Sequence, residues 1–239
     1  MIALGAPGAL KSMLSLAWCL ELDAPTRMIS LDTDPATQAV RVIARLTGNE
    51  TTKIWPDKIR WAGWLREQTT KLRIHSDPVS VDEVDEIVTA DTEYWGQAPG
   101  LVVIDDVSKL VMEERDYSGF DTAMLELHRI ARRHKTVVLA LHHLHRGDSS
   151  ARTKPIKLSD GKYTGEYEAE IVLGLWRPAE HELKVGVLKN RFGNDDPTGG
   201  LVANLHCDPA LVDIRDYLDP YAVFNDPPPI ELSEAGIRL

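Results

Sequence analysis

The sequence predicts an α/β fold: a mainly parallel central sheet flanked by helices, with antiparallel strands at its C-terminal end. Three observations predict it. Short β-branched runs alternate with longer helical patterns, which calls for parallel strands joined by helical crossovers. "LVVI" (Leu101–Ile104) and "TVVLAL" (Thr136–Leu141) are apolar throughout, as strands covered on both faces are. From Ile171 onward, three strand-like runs follow one another as a meander.

Taken in order, Met1–Leu4 is a strand stub and Ser12–Leu22 has the apolar spacing of a helix that follows a loop. Arg27–Leu31 ("RMISL") is the second strand, and Pro35–Leu46 a helix closed by Gly48. Asp57–Thr70 is helical, with Trp61 and Trp64 on one face. Leu72–His75 reads as a strand and Val81–Ala90 as an acidic helix. After Leu101–Ile104 come a helix over Phe120–His134 and the strand Thr136–Leu141. Arg146–Gly165 then changes character: it is basic, rich in Ser and Gly, and without periodicity. Ile171–Trp176, Leu183–Leu188 and Leu201–Leu205 are the meander. The division expected is one domain over residues 1–215 and a tail over 216–239 that carries "DPPP".

Composition bounds the function. The 239 residues suffice for one sizeable core, and 43% hydrophobic with 27% charged residues is ordinary for a globular chain. Cys19 and Cys207 have neither metal-like nor framework spacing, so reduced thiols in an intracellular, cytoplasmic setting are expected. No apolar run reaches membrane-spanning length, and Met1–Gly8 lacks the basic start of a signal peptide, so no membrane partner is expected. A net charge of −10 confines any nucleic-acid contact to a local patch.

The chemistry begins at "GAPGALKS" (Gly5–Ser12). Backbone N–H groups in a loop that feeds a helix N-terminus bind phosphate, because unpaired donors and the helix dipole face the anion. Gly5 and Gly8 give the loop its freedom, Lys11 has the reach for β- and γ-phosphates, and Ser12 suits Mg²⁺. Leu10 stands where the phosphate-loop (P-loop) pattern has glycine; it is expected to enter the helix at negative φ and to weaken binding rather than abolish it. "LVVIDD" (Leu101–Asp106) ends an apolar strand in Asp105, where such a site holds its metal-organising aspartate.

Four further segments follow in order: "ISLDTDPATQAVRVIARLTG" (Ile29–Gly48), "VVLALHHLHR" (Val137–Arg146), "KLSDGKYTGEYEAEIVLGLWR" (Lys157–Arg177) and "VLKNRFGNDDPTGG" (Val187–Gly200). With the two motifs above, the chain resembles the ATPase domain of DnaB-type replicative helicases, within the RecA-like superfamily; small phage-type RecA-like ATPases share the same core. The resemblance covers that core domain alone, from Met1 to about Asp208, with no counterpart here of the helicases' N-terminal domain and linker helix. It implies a RecA-like P-loop NTPase that binds ATP and Mg²⁺ through Gly5, Gly8, Lys11 and Ser12, with Ser12 and Asp105 on the metal. It places Asp32 where a glutamate polarises the attacking water and His143 where a glutamine senses the γ-phosphate. Lys189 and Arg191, in "KNR", match the pair that reaches a neighbouring subunit's ATP site, which implies a homo-oligomer, ring or filament. The function implied is a DNA-directed ATPase, helicase- or recombinase-like, in phage-type replication or recombination.

"RGDSSARTKPIK" (Arg146–Lys157) lies where such rings line a channel for single-stranded or branched DNA. Arg146, Arg152, Lys154 and Lys157 are its candidate phosphate contacts. "RIARRHK" (Arg129–Lys135) reads as a solvated helix face. Two other functions fit the residues. His142, His143 and His145 with Asp106, and with His134 and Asp148 near them, could serve a metal-dependent nuclease on a weakened P-loop scaffold. A non-catalytic single-strand binding or annealing protein is the other, with nucleotide controlling assembly only.

Overall fold

The computed structural model describes residues 1–111, 117–144, 152–161 and 167–217. Among them lie nine strands: β1 (Ile2–Gly5), β2 (Thr26–Ser30), β3 (Leu72–His75), β4 (Leu101–Asp105), β5 (Val137–His143), β6 (Ile171–Ala179), β7 (Glu182–Asn190), β8 (Val202–Asp208) and β9 (Asp213–Asp216). They form one sheet in the order β3-β2-β4-β5-β1-β6-β7-β8-β9. Every pair from β3 through β6 is parallel, and β6 to β9 pair antiparallel. This is the mixed sheet that the alternation and the meander imply.

Helices cover both faces. α1 (Lys11–Glu21), α2 (Pro35–Thr47), the short α3 (Thr51–Ile54) and α4 (Ala62–Gln68) pack on one side; α5 (Val81–Trp95) and α6 (Tyr117–His134) pack on the other. Central strands are therefore buried on both faces, and all residues of β1, β2 and β4 are buried. Local chemistry sets the helix limits. Asp34 accepts from the Thr37 amide at 3.0 Å, Pro35 opens α2, and Gly48 (φ 66) closes it. Ser80 and Glu83 form a reciprocal capping box at the start of α5.

Two expectations need correction. The helix over 57–70 starts only at Ala62. Pro56 sits in a 3₁₀ turn (Trp55–Asp57), and the amides of Arg60, Trp61 and Ala62 bond three residues back rather than four. Trp61 and Trp64 still meet edge to face, 5.4 Å apart. The meander also has one strand more than its apolar runs imply, because "DIRD" has no such run. As β9 it joins the sheet through backbone pairing with β8, and Ile214 is its buried residue.

A buried ion pair ties the β2 side of the sheet to α5: Arg27 grips Asp91 through two nitrogens, and Arg73 adds a bond at 3.0 Å. Asp91 is wholly buried, where a carboxylate without such partners would be costly. Among the described residues no helix is long and apolar enough to cross a membrane.

Candidate nucleotide site

The C-terminal ends of β1, β2, β4 and β5 share one edge of the sheet, where α/β sheets place ligands. Strand register sets Gly5 beside His143 and Ser30 beside Asp105, so segments far apart in sequence converge there. The loop leaves β1 at Gly5, where a Cβ would lie 3.0 Å from the Leu175 carbonyl oxygen and 3.1 Å from Ala9 Cβ. Glycine permits that approach. Gly8 turns the loop at φ 78.

Leu10 departs from the expectation of a negative φ: it sits at φ 62, ψ 24, in the left-handed region that a glycine would adopt. The loop path is thus retained although the residue is not, at a cost of about 1–2 kcal/mol. Packing of the half-buried Leu10 side chain against the core of α1 and α2 offsets part of that cost. Glycine and alanine then rank opposite to their order inside a helix. Leu10→Gly is expected to be more stable than Leu10→Ala by about 1 kcal/mol in urea unfolding, since both lose the packing and only glycine is relieved of strain. An alanine variant at least as stable as the glycine one would contradict the left-handed geometry.

Lys11 is 3% exposed, and its ammonium donates to Gly5 O (2.8 Å), Ala6 O (3.4 Å) and His143 Nδ1 (2.9 Å). Burial pushes it down to about 8, against the pull of Asp106, Asp105 and Asp32. Burial, followed by the Lys11 charge, also holds His143 below the usual imidazole range, which suits a neutral Nδ1 acting as acceptor. Asp105 is pushed up to about 6, chiefly by burial, with the Ser12 hydroxyl pulling the other way.

Among the described residues the buried Asp105 Oδ2 atom has no hydrogen-bond partner. An orphaned carboxylate oxygen near a serine hydroxyl is a donor set fit for a hard divalent cation such as Mg²⁺, which keeps waters and phosphate oxygens as its other ligands. Asp32 lies just past β2, its carboxylate 3.8 Å from His143 Nε2 and 3.7 Å from Lys109 Nζ. The structure thus brings together Gly5, Gly8, Lys11, Ser12, Asp32, Asp105 and His143.

Asp106 is a site residue whose bonding the sequence leaves hidden. Its wholly buried carboxylate accepts from the amides of Ser108 (2.7 Å) and His143 (3.0 Å), tying the end of β4 to the end of β5. Burial alone would raise it, but His142 beside it and the Ser108 amide hold it below the usual carboxylate range. The only sequence signal is the second acid of "LVVIDD".

Other candidates stand elsewhere. Lys189 and Arg191 both donate to the Tyr167 carbonyl, at 3.2 and 3.3 Å. β7 ends there, with Lys189 opposite Val172, itself the register partner of Ile2. The pair therefore sits at the end of the sheet away from the Gly5–Ser12 loop. Lys157 is exposed, and Arg152 lies against Gly8 rather than apart from the loop. Arg146, His145 and Asp148 fall outside the described residues. His134 bonds Asp85 at 2.8 Å beside the start of β5, so it is not near His142 and His143. Arg129 and Arg133 pair with Glu126 and Asp85, as a solvated helix face does. Among the described residues no group of three His, Cys, Asp or Glu is placed to hold a metal.

Comparison with solved structures shows that the chain has a RecA-like fold. A solved ATPase domain superposes with a TM-score of 0.75 at 20% identity, over 90% of this chain and 84% of that one. A DnaB-like replicative helicase, solved for its interactions with primase, gives 0.75 at 19% identity, over 90% of this chain and 57% of its own length. The RadB recombinase gives 0.57 at 16% identity, over 90% of each chain. No family model matches the sequence. The gene 65 protein of Mycobacterium phage L5 is 29% identical over 225 residues, 88% of this chain and 83% of the relative. That of Mycobacterium phage D29 is 30% identical over 231 residues, 88% of this chain and 96% of the relative. Likeness of that extent settles kinship: the chain belongs to the family of the mycobacteriophage gene 65 proteins.

Proposed function

We propose that this protein is an ATP-dependent, DNA-directed ATPase of helicase or recombinase type, acting in phage DNA replication or recombination. One observation carries the reading: Lys11, Ser12 and Asp105 converge on the Gly5–Ser12 loop, and Asp105 keeps a buried oxygen without a partner. In this reading residues 1–215 are the working domain and 216–239 a tail.

Loop amides and Lys11 bind the phosphates, with Lys11 exchanging the Gly5 and Ala6 carbonyls for phosphate oxygens. Ser12 and Asp105 would hold Mg²⁺, which would supply positive charge to neutralise the phosphates. Asp32, partly open to solvent, orients the attacking water and accepts its proton. His143, in contact with Lys11 and 3.8 Å from Asp32, registers whether the γ-phosphate is present. Relatives in fold that carry the words ATPase, helicase and recombinase support this class.

For DNA, the reading uses Lys154 and Lys157, with Arg146. Turnover of ATP measured with and without single-stranded DNA, beside cleavage of a labelled forked duplex, tests the class. Stimulated turnover without cleavage is expected. Cleavage without turnover would indicate a nuclease, and DNA binding with neither an annealing protein. Lys154→Ala with Lys157→Ala should weaken single-strand binding for all sequences and flatten its salt dependence by about one unit per lost contact. An unchanged slope would place the DNA elsewhere.

A further inference from the structure

Arg152 belongs by sequence to the basic stretch assigned to DNA, yet its side chain rests on the phosphate loop. A Cβ built at Gly8 would lie 3.3 Å from Arg152 Cδ and 3.5 Å from Arg152 Nη1. Gly8 is an exposed turn of the loop, so the arginine occupies the space that any side chain at position 8 would take. Among the described residues, no hydrogen bond or ion pair holds the guanidinium. It is a cation placed beside the loop with no carboxylate to give up among the described residues.

The chain just after it is anchored. Ile156 is 3% exposed and packs close to Gly174, where a Cβ would lie 3.1 Å from Ile156 Cβ. Gly174 is the register partner of Leu4, the residue before the loop. The Leu158 amide bonds Pro197 O at 2.8 Å. Arg152 is thus tethered a few residues from a fixed point at the base of the loop, while Lys157 on the same segment faces solvent.

We propose that Arg152 is a second phosphate-binding cation of this loop. It closes on the nucleotide's phosphates from the solvent side while Lys11 holds them from the buried side. The proposal rests on the reading of Gly5–Ser12 as a nucleotide loop. A planar guanidinium matches two phosphate oxygens at once, which an ammonium does not. Because the same segment carries Lys154 and Lys157, occupation by DNA and by nucleotide are linked through one residue, and the linkage acts equally in both directions.

The test is ATP affinity by calorimetry, in the full chain with Mg²⁺, for wild type, Arg152→Ala, Arg152→Lys and Lys11→Ala. Losing a charge-assisted hydrogen bond predicts on the order of tenfold or more weaker ATP binding for Arg152→Ala, and partial recovery for Arg152→Lys. Adenosine binding should not respond to either change, which a merely structural role would not spare. Single-stranded DNA should shift the ATP affinity of wild type and leave that of Arg152→Ala unmoved. If Lys11→Ala weakens binding and Arg152→Ala binds ATP as wild type does, the assignment is wrong and the nucleotide loop stands. If Arg152→Ala loses DNA affinity alone, Arg152 is a DNA contact only. If wild type binds no ATP, the loop reading and this proposal fall together.

Discussion

Replacing Arg191 by alanine is expected to lower ATP turnover per subunit by on the order of 10³–10⁵, with ATP affinity nearly unchanged. Arg191 lies at the end of the sheet away from its own loop, and only the Tyr167 carbonyl holds its guanidinium among the described residues. In the proposed reading such an arginine would serve the nucleotide of a neighbouring copy, where it would meet charge that develops only in the transition state. Turnover per subunit should therefore rise with protein concentration in the wild type. Mixing Arg191→Ala with Lys11→Ala should restore part of the rate, because some contacts then join an intact loop to an intact arginine. A rate that stays flat on dilution, with no rescue on mixing, would reduce Arg191 to a surface residue.

The second large effect belongs to Lys11. Lys11→Ala should cost on the order of 10²–10³ in turnover and weaken ATP binding as well, because the loop loses its one buried cation among the described residues. The pH dependence shows how. Lys11, pushed down to about 8, is charged below that value and so attracts phosphate there; binding should fall as pH rises through about 8. Asp105, pushed up to about 6, is ionised above that value; Mg²⁺-dependent binding should fall as pH drops through about 6. Wild-type affinity is then greatest between the two. Lys11→Ala should erase the alkaline limb and keep the acidic one. A variant that retains both limbs would show that another group sets the upper one.

How far the sequence reveals this molecule depends on what holds each part in place. β1, β4 and β5 are legible because burial on both faces demands apolar runs, and Pro35 and Gly48 mark the limits of α2 through their own backbone chemistry. β9 is illegible because an edge strand needs only backbone pairing, and its charged residues satisfy that as well as apolar ones would. The candidate site divides the same way. Lys11, Ser12 and Asp105 sit in local motifs, so their order suffices to find them. The Asp106 bridge to His143, the left-handed Leu10 and the seating of Arg152 on Gly8 are products of tertiary contact, which no local spacing encodes.

The opposite placement of the Gly5–Ser12 loop and the Lys189–Arg191 pair also bears on symmetry. If Arg191 serves a neighbouring copy, a two-fold dimer can complete both its sites when the strands of the two copies run antiparallel, whereas copies that all point one way complete them head to tail. A head-to-tail arrangement repeats by a rotation that either closes or propagates. An open row of n subunits has n−1 complete sites and one incomplete site at its end; a closed one has none incomplete. Activity per subunit in an open row would climb with its length and level off, and in a closed one it would appear in a single step at assembly.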